Sequence, residues 1–235
     1  LPPLILAALS LFGGLLSLDR TAFFQTMVSR PIVAGPVAGY LLGDFEAGCW
    51  CAILLEFLWL MRLPIGGAVP PDDALATLAA VSAAASLAPH AGIGVIQASA
   101  TGVVFGLPFG YLGRWADLKI RNQNGVTYLR VRKALAEGTV VRLFRPHFDC
   151  AARFFFAGTA LSLVAVLTGW MFGQLTADIF GGFPGFSNRY TLALLIFTAG
   201  AGALLAGIGG RHGKAAFGIC TLLGFFCSTW LMAAP

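Results

Sequence analysis

The chain has 235 residues, 58% of them hydrophobic and 11% charged, with a mean hydropathy of +0.83. A soluble domain carries about 25% charged residues, so a soluble globular enzyme is excluded; continuous rather than alternating apolar runs argue against a β-barrel. The net charge of +5 is unevenly spread: nine of the fifteen basic residues lie between Arg114 and Arg153, opposed only by Asp117, Glu137 and Asp149.

These features predict one all-α integral-membrane domain over 1–235, a polytopic bundle of roughly six to nine segments at about 20 residues per full span. The positive-inside rule puts 114–153 in the cytoplasm as a basic, partly helical loop with a turn at Asn122–Gly125. Its charge is read as topology and contact with anionic membrane lipid, with no nucleic-acid partner. The cysteines, Cys49, Cys51, Cys150, Cys220 and Cys227, form no C-x-x-C pair and read as inert packing. The N-terminal apolar run lacks a basic lead and a cleavage signal, so it reads as a retained segment, in a chain that begins at Leu1.

In chain order, Leu4–Leu18 is a first membrane segment, short for a full span. Asp19–Arg30 is mixed and amphipathic, suited to an interface or a re-entrant piece. Pro31 suits the first turn of a helix running to Leu42, whose reach of about 20 Å falls short of a hydrocarbon core of about 30 Å. Pro36 should kink that helix, and Gly35, Gly39 and Gly43 make a smooth packing face. Gly43-Asp44 ends it, and Asp44 is read as the cap of the next helix, Glu46–Leu63, with a ligand role as the alternative.

Pro64–Asp73 breaks the chain, and Ala74–Leu87 is a small-residue helix that needs shielding by neighbours. A turn is expected at 88–92, where His90 lies. Ile93–Leu112 follows as a span with a second glycine ladder, Gly102, Gly106 and Gly110. Beyond the basic segment, Phe154–Leu175, Tyr190–Ile208 and Ala215–Met232 read as spans, with a glycine-rich external or re-entrant loop at Asp178–Arg189.

Carboxylates in apolar sequence mark polar cavities or transport paths, and irregular backbone at membrane depth must be satisfied internally. Glu56 before the Pro/Gly break and Asp72 after it therefore nominate a midplane binding site with a broken helix. Carboxylates accept strong hydrogen bonds from sugar hydroxyls. Phe57 and Trp59 would supply an aromatic face, and Asp73 reads mainly as a cap. The alternative structural roles are pairing of Glu56 with an arginine and capping by Asp72 of the helix that follows it. Arg62 was available to mark a membrane edge or balance Asp72. The three scattered histidines suggest no metal site, and the turn Gly209–Lys214 lacks the Ser/Thr that a phosphate loop requires.

Four motifs occur in order: Ser29-Arg30-Pro31-Ile32-Val33-Ala34-Gly35-Pro36, Leu42-Gly43-Asp44, Leu55-Glu56 and Gly67-Ala68-Val69-Pro70-Pro71-Asp72. Together they resemble the membrane component IIC of the mannose–fructose–sorbose family of the sugar phosphotransferase system (PTS), over roughly residues 18–112. The resemblance implies a non-catalytic permease subunit of a bacterial inner membrane, multi-pass, without a cofactor. It implies a IID membrane partner, in complexes such as trimers of IIC–IID pairs. A hexose-type sugar is then phosphorylated by cytoplasmic IIB, which is charged by IIA, and no residue of this chain carries phosphate. It also implies that Glu56 and Asp72 are the sugar ligands. Two other classes are compatible with the composition: an ion-coupled secondary transporter, and a non-transporting scaffold or sensor of the same fold.

Overall fold

The computed structural model describes residues 1–23, 25–60, 62, 67–139, 144–181, 219–220 and 222–223. Its main elements are helices: α1 (Pro3–Thr21), α2 (Pro31–Leu42), α3 (Phe45–Trp59), α4 (Asp73–Ala91), α5 (Val95–Ala136) and α6 (Phe144–Gly181). Four of them, α1, α4, α5 and α6, are long and apolar enough to cross a membrane. The fold is an all-α membrane bundle with short, broken segments.

Local chemistry sets several boundaries. Pro2 and Pro3 open α1, and Pro31 opens α2, where a missing N–H costs nothing. Gly43 closes α2 in the left-handed conformation, φ 82°. Asp44 then caps α3, its Oδ1 accepting from the Ala47 N–H at 2.9 Å, so the capping role holds. At 12 and 15 residues, α2 and α3 reach about 18 and 22 Å, and neither crosses a bilayer core alone. They pack as a hairpin in near backbone contact. A Cβ at Gly39 would lie 2.7 Å from the Gly48 Cα, and one at Gly35 2.7 Å from the Ala52 Cβ.

The centre of the molecule is α4. Every residue from Ala74 to Ala88 is buried, under α2, α3, α5 and α6 and a smaller contact with α1. The small residues explain how so many helices reach it. A Cβ at Gly106 would stand 2.6 Å from the Ala76 carbonyl oxygen, and one at Gly169 on α6 2.6 Å from that of Ala79. The expected shielding of this helix is therefore present; Gly35 and Gly39 are covered by α3 and Gly102, Gly106 and Gly110 by α4 and its neighbours, whereas Gly43 is exposed and serves as the helix end.

Other expectations are corrected. In the segment Asp19–Arg30, α1 continues to Thr21 and the chain then folds back on Asp19. The Asp19 carboxylate accepts from the Thr26 N–H (2.7 Å), the Thr26 hydroxyl (2.6 Å) and the Ser29 N–H (3.0 Å). His90 lies in the last turn of α4, not in a turn between helices. That helix passes through Pro89 and stops at Gly92, φ 62°. The largest correction concerns 114–153. Its helical part is far more extensive than expected and no turn forms at Asn122–Gly125: α5 continues without a break to Ala136, and α6 starts at Phe144. The reason is tertiary. The Arg153 guanidinium donates to Asn124 Oδ1 (3.0 Å) and Thr127 Oγ1 (3.1 Å), and the Asn124 amide donates to the Cys150 carbonyl (3.3 Å). Potential helix breakers thus become the seam between two antiparallel helices. The turn falls at Gly138, φ 72°. The expected loop at Asp178–Arg189 is helical up to Gly181; its remainder, the span Tyr190–Ile208 and most of Ala215–Met232 lie outside the described residues.

Candidate functional site

The break before α4 brings charges from five elements together. Asp72 sits at the N-cap of α4. Its Oδ1 accepts from the Leu75 N–H at 3.0 Å, and its own N–H donates to the Gly110 carbonyl of α5 at 2.7 Å. Its Oδ2 meets the Arg20 guanidinium from the last turn of α1 at 3.1 Å. The same Arg20 nitrogen lies 3.2 Å from Asp117 on α5, and Asp117 also accepts from Arg121 Nε at 2.7 Å. A Cβ at Gly113 would collide with the Asp72 side chain, so glycine is what lets α5 pass so close.

A second group forms beside the first. Arg30, the residue before α2, donates through both Nε and NH2 to Glu56 Oε1 on α3. The Ile32 N–H donates to Glu56 Oε2 at 3.3 Å. The other end of the Arg30 guanidinium is 3.6 Å from Asp73 Oδ2, while Asp73 Oδ1 accepts from the Ala74 N–H at 3.0 Å. All three side chains are 13–18% exposed.

Glu56 and Asp72, the two expected ligands, take different arginine partners. Glu56 joins Asp73 through Arg30, and Asp72 joins Asp117 through Arg20. Consecutive residues put the two aspartates in different groups. Asp72 lies against Gly110 and Gly113, and Arg20 meets Asp117, so this group sits at the middle of α5, where its apolar half gives way to its basic half. The space beside Asp72 and Arg20 is about 20 Å³, room for about one water and far too small for a sugar. Trp59 is buried against Gly110 and offers no open face; Phe57 is half-buried. Arg62 is exposed, and Asp72 is balanced by Arg20 instead.

Sequence reasoning missed Arg20, Arg30 and Asp117. A signal existed. Charges embedded in apolar sequence need partners, and Arg20 and Arg30 bracket the only polar stretch preceding the acids.

The family model described as PTS system sorbose-specific IIC component matches residues 4–231. The chain belongs to that family. This IIC chain is 31% identical over 106 residues to the protein called "Putative N-acetylgalactosamine permease IIC component 2" of Escherichia coli (strain K12), covering 44% of this chain and 72% of that one. It is 34% identical over 91 residues to the PTS system sorbose-specific EIIC component of Klebsiella pneumoniae, covering 39% of this chain and 30% of the relative. A cryoEM structure of the mannose transporter ManYZ in complex with microcin E492 aligns at 17% identity with a TM-score of 0.46, over 98% of this chain and 79% of that one. Membership makes this chain a multi-pass membrane permease component of a sugar PTS.

Proposed function

We propose that this IIC chain binds and translocates a hexose-type sugar that a cytoplasmic IIB protein, charged by IIA, phosphorylates on arrival. It works in the bacterial inner membrane with a IID-type membrane subunit, as trimers of such pairs, and carries no phosphate itself. The basic hairpin 114–153 faces the cytoplasm. Asp72, Arg20 and Asp117 meet at the middle of α5, where its apolar half gives way to the basic half.

Of the acids at the break, Glu56 and Asp73 contact the sugar, and Asp72 holds the site in place. One observation carries this reading: a single arginine, Arg30, stands between two carboxylates, and its 3.6 Å approach to Asp73 is longer than a hydrogen bond. That group keeps a surplus negative charge and acceptor lone pairs for hydroxyl donors. Asp72 by contrast belongs to a group in which two arginines, Arg20 and Arg121, balance two carboxylates, and its pairing with Arg20 is at hydrogen-bond distance, 3.1 Å. The sugar enters by loosening Arg30, because no cavity of its size exists beside Asp72. Calorimetric titration of hexoses into the purified complex tests this. Glu56→Gln and Asp73→Asn should each weaken binding roughly ten- to a hundred-fold, the loss of one charge-assisted hydrogen bond. Asp72→Asn, which keeps the capping oxygen, should retain most of the affinity. Unchanged binding in both Glu56→Gln and Asp73→Asn, or loss confined to Asp72→Asn, would return the site to Asp72.

A further inference from the structure

The far half of α5 has two unlike faces. At about 100° per residue, Asp117, Ile120, Asn124 and Thr127 lie on the side turned to α6 and the bundle. The opposite side carries an apolar stripe, Val104, Tyr111, Trp115, Leu118, Val126 and Leu129, whose residues are 41–60% exposed and which the exposed Asn122 interrupts once. Basic residues flank the stripe on both edges. Arg114, Arg121 and Arg132 run along one, and Lys119 and Arg130 along the other, all exposed. Lys119 folds its ammonium over the Trp115 ring, 5.1 Å from the centroid.

An apolar stripe with aromatic residues and arginine or lysine on either side is the pattern of a helix lying at a lipid interface, with long cationic side chains reaching up to the phosphates. Here the stripe is continuous with the face that the spanning half of the same helix turns outward at Val104. From Val95 to Leu129 the helix extends about 51 Å, against about 30 Å of hydrocarbon and about 40–45 Å with both headgroup layers. A tilt near the upper end of the 0–40° range of spanning helices lays the stripe on the headgroup layer instead of leaving it in water.

We propose that the outer face of α5 from Trp115 to Leu129 is a binding surface for anionic phospholipid headgroups. The apolar stripe rests on the acyl boundary and the two basic rows hold the phosphates. Bilayer contact at this face fixes the tilt of the α5–α6 hairpin, which carries Asp117 and packs on α4, the helix that Asp72 caps.

The full chain, reconstituted with its membrane partner in vesicles, is the system for the test. A Leu129→Trp substitution adds a fluorescent probe at the far end of the stripe, read as the difference from the unsubstituted protein. Brominated phosphatidylglycerol should quench this probe severalfold more than brominated phosphatidylcholine at equal mole fraction. Adding Lys119→Gln, Arg130→Gln and Arg132→Gln should remove most of that preference and bring quenching by the two lipids close to equal. All three side chains are exposed, so the variant should fold, which far-ultraviolet circular dichroism checks. Equal quenching by both lipids would overturn the headgroup claim. A probe that neither lipid quenches would overturn it as well, with blue-shifted emission pointing to a covering protein and red-shifted emission to a solvated face.

Discussion

Arg20 decides more than any other single side chain. It ties the end of α1 to the start of α4 and the middle of α5, with two carboxylates on one guanidinium nitrogen. Removing one member of a buried ion group leaves the others desolvated and unpaired, at a cost of about 3–5 kcal/mol. Arg20→Met should therefore lower the midpoint of thermal or denaturant unfolding of the purified complex markedly. Arg62→Met, at an exposed position, should leave it unchanged. Single residues were also where the sequence was most and least readable. Pro31, Gly43 and Asp44 could be placed from letters alone, since starting, ending and capping a helix are local acts. Whether Glu56 faces Asp72 or Asp73 could not, because consecutive residues at an N-cap diverge and each takes the arginine that the packing of α1 or α2 delivers.

Among the elements, the long helices were the hardest to read. Asn122 and Gly125 looked like a turn, yet α5 runs through them because α6 returns alongside and bonds to Asn124 and Thr127. Gly125 has open space around its Cα, whereas a Cβ at Gly102 would press into the α4 backbone, 3.1 Å from the Ala84 nitrogen. The same substitution should thus act in opposite directions. Gly125→Ala should stabilise α5 by about 0.5–1 kcal/mol through helix propensity alone. Gly102→Ala should destabilise, because α4 cannot move aside without disturbing the four helices packed on it. Unfolding midpoints of the two variants, measured side by side, check the signs. The shielding of α4 was readable beforehand, since a run of alanine and serine is too poorly lipophilic to face lipid. What could not be read was that Gly35 and Gly39 pack on α3, and Gly102 and Gly106 on α4, inside the chain.

For the molecule as a whole, the four long apolar helices and the family match agree on a membrane permease component. Orientation is the first thing to test. A cysteine at the exposed Gln123 should react with an impermeant maleimide only after the membrane is opened; Asn124 is unsuited, being hydrogen-bonded in the hairpin seam. Labelling in intact cells would invert the arrangement. The most direct test of the central claim is transport itself, in vesicles holding this chain and its IID-type partner, with labelled hexose outside and phosphorylated IIB inside. Sugar phosphate should accumulate in step with the phosphate lost from IIB, and Glu56→Gln should abolish most of it. Accumulation of unmodified sugar that follows an ion gradient and is indifferent to IIB would contradict the proposed function.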